Sequence, residues 1–263
     1  MVMDLNVRAD ATHGKFAHVI IDRYLITGQV TGVDADFDKD EADGAGLGAS
    51  VENNLPGIAK GKFKIDAKFS DVLNRQLQPL KNRQSPFMAA VAKRGLAAGS
   101  GIDMMPASIG KYSPKLSKKD EVTVAMELGA RGDYHEGVIM LSPKALLTGA
   151  TGTGPIDDNT PFGGATGFGG CAYLWVFDIV AGTAPTFTAK VQHSATSGGT
   201  YTDLATFAAA SGTSAAPVNW VQQVYIPSTT AVNAFTQVSW TASGTPTGIQ
   251  AVLGVARSYD PAL

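Results

Sequence analysis

The sequence predicts a mainly β protein: an N-terminal β-sandwich or barrel domain with one or two short helices, then a C-terminal antiparallel β-sandwich. Three observations predict it. Apolar and polar residues alternate with period two through most of the apolar segments. Helix signals are confined to two short stretches. The composition changes abruptly near residue 149: Met1 to Thr148 holds 19 Lys/Arg and 18 Asp/Glu, but from Gly149 onward there are only Lys190, Arg257 and five aspartates. The second half is rich in Thr, Gly, Ser and Ala instead. That shift divides the chain into a β domain over 1–148, a Gly/Thr/Pro-rich linker over 149–168 and a β-sandwich over 169–263.

In chain order, GQVTGVDADFDKD sets Val33, Ala35 and Phe37 against Asp34, Asp36, Asp38 and Asp40, the pattern of a half-buried strand. The glycine-rich GAGLGASVENN (44–54) that follows reads as a hairpin tip or loop. GKFKIDAKFS alternates again, with Phe63, Ile65, Ala67 and Phe69 opposed by Lys62, Lys64, Asp66 and Lys68. SDVLNRQLQPL is a helix with Ser70 as N-cap and Leu73 stacked on Leu77, stopped near Pro79. SPFMAAVAKRG offers a second, with Ser85 as cap, Pro86 at the first helical position and Gly95 as its end. EVTVAMEL returns to strand alternation through Val122, Val124, Met126 and Leu128. In the second half CAYLWVFDIV is a near-continuous apolar run, suited to a strand covered on both faces. PTFTAKVQHS, WVQQVYIPS, AFTQVSWTAS and GIQAVLGVARS follow at short intervals, as in a compact sandwich.

Composition excludes several function classes. With 263 residues and a net charge of −2, the chain is neither a general nucleic-acid binder nor a membrane-surface protein. One cysteine, Cys171, allows no intrachain disulfide and no thiolate metal cage. The N-terminus has charges where a signal peptide needs an apolar core, and no stretch approaches a membrane span, so a soluble chain folding in a reducing cytoplasm is expected.

Four motifs resemble sites. His193, Ser194 and Asp203 are the residue types of a hydrolytic triad, but adjacent residues of a strand point to opposite faces, so His193 and Ser194 cannot act on each other. The segment reads as a hairpin turning at Ser197-Gly-Gly-Thr. TGATGTG (148–154) looks like a dinucleotide-binding glycine motif, yet the following PIDDNTP cannot start the helix that would receive the pyrophosphate. DADFDKDEADGA (34–45) begins like a calcium loop but has Lys39 at the sixth position and Ala45 at the twelfth. Arg131-Gly132-Asp133 is read as a turn. His13, His18, His135 and His193 are too scattered to suggest a metal site. The sequence therefore predicts no enzyme, no cofactor and no metal, and a protein that acts through its surfaces.

Two segments carry a family likeness. LPGIAKGKFKIDAKFSDVLNRQL (55–77) resembles the Pro-Gly-Leu-x-x-Gly/Asp stretch of siphophage major tail proteins, or tail tube proteins, which leads into a strand and a short helix. KVQHSATSGGTYTDLATF, with the later AFTQVSWTASGTPTGIQAVLGVAR, is similar to the C-terminal domain of actinobacteriophage-type tail proteins. This chain keeps Val191, Gln192, His193, Ser194, Asp203, Leu204, Thr206, Phe207, Trp240 and Thr241 of that pattern. It departs in having Tyr201 at a Trp position and AFTQVSWT where arginines are usual.

The resemblance implies a structural virion protein: a tail-tube β domain and an exterior Ig-like sandwich. Six copies would form a ring, and rings would stack into a tube through which DNA is ejected without specific binding. Tape measure, tail-terminator and distal tail proteins would be its partners; it would reside in the virion tail after assembly in the host cytoplasm. Within that frame Asp34, Asp36, Asp38 and Asp40 would repel phosphates if they face the lumen. Lys60, Lys62, Lys64 and Lys68, on one face of the neighbouring strand, would alternatively pair with those carboxylates across strands or subunits. Other readings are a head-decoration protein, or a carbohydrate binder using Tyr173, Trp175, Tyr201, Trp220, Tyr225 and Trp240.

Overall fold

The computed structural model describes residues 18–26, 30–43, 54–93, 95–115, 122–142, 147, 150–158, 167–180, 184–212 and 220–257. They form a mainly β protein with antiparallel pairing throughout its named strands and one helix among the described residues.

The first half contributes β1 (His18–Ile21), β2 (Tyr24–Leu25), β3 (Val30–Asp43), β4 (Asn54–Lys68), α1 (Asp71–Lys81), β5 (Phe87–Ala92), β6 (Gly101–Lys115), β7 (Thr123–Ala130) and β8 (His135–Leu141). The second half contributes β9 (Thr151–Thr153), β10 (Asp157–Asp158), β11 (Gly167–Val180), β12 (Thr186–Ser194), β13 (Thr202–Thr206), β14 (Ala210–Ser211), β15 (Trp220–Val232), β16 (Phe235–Ser243) and β17 (Gly248–Arg257).

The larger sheet runs β15-β11-β17-β8-β6-β5-β1-β2, with β7, β4 and β3 branching from β6. The branch arises because β6 is long. Ala107 pairs with Phe87 and with Ala130, and Ile102 with Ala92 and with Gly137, so β5 lies along one edge of β6 while β8 and β7 succeed each other along the other. The Arg131–Tyr134 turn makes that succession, and Arg131 N donates to Pro106 O at 2.8 Å. The second sheet places β16 between β12 and the short β9 and β10, with β13 and β14 on the far side of β12.

Three apolar clusters fill the structure. One lies between the sheets, where Leu174, Val176 and Leu253 meet Phe187, Val191 and Val238. A second lies under α1, whose Leu73, Leu77 and Leu80 sit on Phe63, Ile65, Met126 and Leu128. The third joins the halves: Ile20, Ala90, Ile102 and Met104 pack with Cys171, Tyr173, Trp175 and Val252. β11 therefore buries both faces, as its unbroken apolar run requires. One sheet also crosses the compositional boundary at 149, since β17 pairs with β8 from Leu253–Leu141 to Val255–Val138.

Two expectations need correction and one needs refinement. The helix expected from Ser85 to Gly95 is strand β5, paired with β1 and β6. Its FMAAVA sequence supplies Phe87, Ala89 and Val91 to one cluster and Ala90 and Ala92 to another, and this burial on both faces overrides the helical propensity of alanine. The linker expected over 149–168 is ordered in part: Thr151–Thr153 and Asp157–Asp158 add strands to β16. Gly152 fits because a Cβ there would fall 2.4 Å from the Trp240 ring. Helix α1 begins as expected, with Leu73 N donating to Ser70 Oγ at 3.1 Å, but it continues through Pro79 to Lys81. The proline lies in the last turn, where the lost amide costs one hydrogen bond. Tyr112 on β6 ties the helix to the sheet, donating to Asn74 Oδ1 of the first turn at 3.2 Å while Lys81 Nζ of the last lies 3.5 Å over its ring. The GAGLGASVENN loop falls outside the described residues except for Asn54.

Candidate functional site

The candidate site is the β3–β4 hairpin and the sheet section it belongs to. Pairing sets Val33 opposite Ile65 and Ala35 opposite Phe63 on the face toward α1. On the other face Asp34 stands opposite Lys64, Asp36 opposite Lys62 and Asp38 opposite Lys60. The next strands continue the alternation of sign, with Glu127 of β7 beside Lys64 and Lys111 of β6 beside Glu127. Lys64 Nζ reaches Asp36 Oδ2 at 2.5 Å, and Lys62 Nζ reaches Glu127 Oε2 at 2.8 Å. The Asp36 contact, aided by the charges of Asp34 and Glu127, holds the Lys64 ammonium above its ordinary pKa. Lys62, with Lys111 and Lys64, holds Glu127 below the usual carboxylate range. Lys68 closes this face opposite Thr123. Asp40 lies at the irregularity between Lys39 and Glu41. Among the eight candidate charges the structure thus brings Asp36 and Lys64 into direct contact.

The hairpin outgrows the sheet. β4 pairs with β7 only from Lys62 to Lys68, whereas β3–β4 pairing continues from Phe37–Gly61 to Asp43–Asn54. Six residues of β3 beyond Phe37 thus form a two-stranded ribbon, about 20 Å long at strand rise.

The ribbon's root is an aromatic and ionic cluster that the sequence reading missed. Tyr134 lies 5.1 Å from exposed Phe37 and 6.0 Å from Phe63, ring to ring. Gly61 makes this possible, because a Cβ there would meet Tyr134 Cδ2 at 2.4 Å. Asp103 sits behind Tyr134 at 1% exposure, its Oδ1 2.9 Å from Lys93 Nζ, which is also 2.8 Å from Glu136 Oε1. That ammonium is close but poorly aligned with Asp103, so it balances charge without fully solvating the carboxylate, and burial lifts the Asp103 pKa. Burial lowers the Lys93 pKa, but Glu136 and Asp103 outweigh it and raise it. Burial and the neighbouring Asp103 push the Tyr134 hydroxyl upward. No spacing rule joins residues 37, 61, 103 and 134; only the sheet does.

The triad residues are committed elsewhere. His193 Nδ1 accepts from Asn233 N at 3.1 Å, and buried Ser194 accepts from Thr196 N at 3.3 Å. Asp203 accepts from Lys190 Nζ at 2.5 Å and Gln192 Nε2 at 2.8 Å, which holds its pKa down. The β12–β13 hairpin pairs His193 with Thr202, so the three letters are structural. Ser194 is buried and His193 half-buried, and the regular pairing of β12 with β16 keeps the two on opposite faces, His193 on that of Val191. Tyr173 and Trp175 have no exposed surface and Trp240 only 7%, which removes half of the candidate sugar platform. Among the described residues no cluster of three or more His, Cys, Asp or Glu is placed to hold a metal ion, and no helix is long and apolar enough to cross a membrane.

No protein-family model matches the chain, and no curated protein matches it. Solved structures with some likeness include a chain of a native gene transfer agent virion, at 14% identity and TM-score 0.41, covering 47% of this chain and 97% of that one. A sheath-tube complex of an extracellular contractile injection system covers 52% and 99%, at 10% identity and TM-score 0.37. The Dit protein of phage SPP1 covers 92% and 98%, at 7% identity and TM-score 0.35. All three TM-scores lie below 0.5.

Proposed function

We propose that this chain is the subunit of a phage tail tube, assembling into six-membered rings that stack into a conduit for DNA ejection. Residues 1–148 form the tube unit and 169–263 an exterior unit, seamed together through β8 and β17. The protein resides in the virion tail after assembly in the host cytoplasm, has no catalytic role, and meets the tape measure, tail-terminator and distal tail proteins at the tube's ends.

The observation that supports this most is the β3–β4 ribbon. A two-stranded ribbon is at best marginally stable alone in water, and this one extends past β7 with no described strand on either side. Such a ribbon is completed by packing on a partner, and a repeating assembly of identical chains supplies one at every position. Open strand edges support the same reading: among the described residues β3 has only β4 as a ladder neighbour, and β15 only β11. The family likeness of residues 55–77 falls on β4 and α1, the elements that carry the ribbon and cover its root.

The test replaces residues 39–59 by a two-residue Asn-Gly turn, which shortens the hairpin while preserving its register. Light scattering coupled to size exclusion should show large assemblies for the parent chain and a folded monomer for the shortened one. Equal assembly of both would remove the ribbon from the interface.

A further inference from the structure

Among the described residues, no element covers the face of β3–β4–β7–β6 that lies opposite α1, and β4 supplies three of its lysines. With described side chains, this face presents Asp34 and Asp36 from β3, Lys62, Lys64, Asp66 and Lys68 from β4, Glu127 from β7, and Lys111 and Lys115 from β6. Five lysines therefore stand against four carboxylates, but the lysines of β4 form a row with alternate residues about 6.7 Å apart. Such a row is what a phosphate backbone binds. It is occupied instead by the chain's own carboxylates, through the Lys64–Asp36 and Lys62–Glu127 contacts.

We infer that this face is a latent polyanion-binding surface, masked by Asp34, Asp36 and Glu127. The carboxylates stand where phosphates would, so DNA passing the face finds Lys62 and Lys64 already paired and gains little by releasing counterions there. These contacts are exposed, with 46% and 49% of the Lys64 and Asp36 side chains accessible. The mask is thus one of charge rather than of buried geometry, and removing the carboxylates frees the lysines without opening the core. The inference rests on this face alone. The tail-tube reading supplies its consequence, a surface that DNA can slide over, and microscopy of the assembly tests that reading separately.

The experiment is fluorescence anisotropy of a labelled DNA duplex titrated with the full chain at 50 and 200 mM salt. The parent chain should not bind. D34N/D36N/E127Q should bind, with Lys62, Lys64 and Lys111 now free. Three phosphate contacts predict an affinity about 40-fold weaker at the higher salt, from a log–log slope of about −0.9 per contact. Adding K62Q/K64Q should abolish the gain. The inference is overturned if the folded triple variant does not bind, if the parent binds as tightly, or if the gain survives loss of both lysines. Should the triple variant not fold, D36N alone carries the test. One freed lysine predicts a salt effect of about 3.5-fold, and no binding by folded D36N overturns the inference.

Discussion

Replacing Arg257 should unfasten the two sheets at one end of the sandwich. Its guanidinium, at 7% side-chain exposure, donates from Nη2 to Thr236 Oγ1 (2.8 Å) and Ala234 O (3.1 Å), and from Nη1 to Asn233 O (3.1 Å). Nη2 also lies 3.3 Å from Asp157 Oδ2. The side chain leaves β17 of the larger sheet, while its partners lie on β10, on β16 and in the β15–β16 turn. Arg257→Met keeps most of the apolar stem and removes every donor. Breaking a buried charge pair by deleting one partner costs about 3–5 kcal/mol, because acceptors are stranded. Asp157 retains 26% exposure and can take up water, which favours the lower end, about 3 kcal/mol. For a chain of this size that lowers Tm by about 6–12 °C. Urea unfolding followed by circular dichroism measures it, and a cycle with Asp157→Asn isolates the ion pair from the neutral hydrogen bonds, with an expected coupling of about 1 kcal/mol or more. A loss below about 1 kcal/mol for Arg257→Met, or no coupling, would show that the guanidinium does not fasten the two sheets.

Three further outcomes follow from the same packing. Burial, then the positive charge of Arg257, lowers the His193 pKa, so the folded state prefers neutral imidazole. Its stabilising contribution is present above the unfolded pKa of about 6.5 and is lost as pH falls through the folded value; the parent should therefore lose more stability than His193→Asn between pH 7.5 and 5.5, and parallel urea midpoints would contradict this. Cys171 is fully buried, its thiol pushed up to about 11 by burial despite hydrogen bonds from its neighbours, so alkylation should be negligible in the folded protein and complete in denaturant. Gly61→Ala should destabilise by about 1–3 kcal/mol, since the new methyl displaces the Tyr134 ring; a neutral thermal melt would show that the ribbon's root is not tightly packed.

Much of the fold was legible where one local rule dominates. Ser70 and the Leu73–Leu77 spacing place α1, and the alternation of Phe63, Ile65 and Ala67 places β4. The same rules fail where both faces are buried: Phe87–Ala92 carries small residues on two core faces, which by sequence is indistinguishable from an alanine-rich helix. The opposed charges of β3 and β4 were legible as a possibility, but one residue of register separates a paired ladder from two rows on opposite faces, and burial of Val33 beside Ile65 fixes it. The Tyr134 root and the Arg257 fastening were not legible. Each gathers residues from distant strands by topology, and a lone tyrosine or arginine carries no mark of the partners it will meet.

Assembly through the ribbon and the open edges has a visible product. Negative-stain electron microscopy of the purified full-length protein, over a range of concentration and salt, tests it most directly. Six-fold rings that stack into hollow tubes are expected. Persistent single subunits under every condition would contradict it.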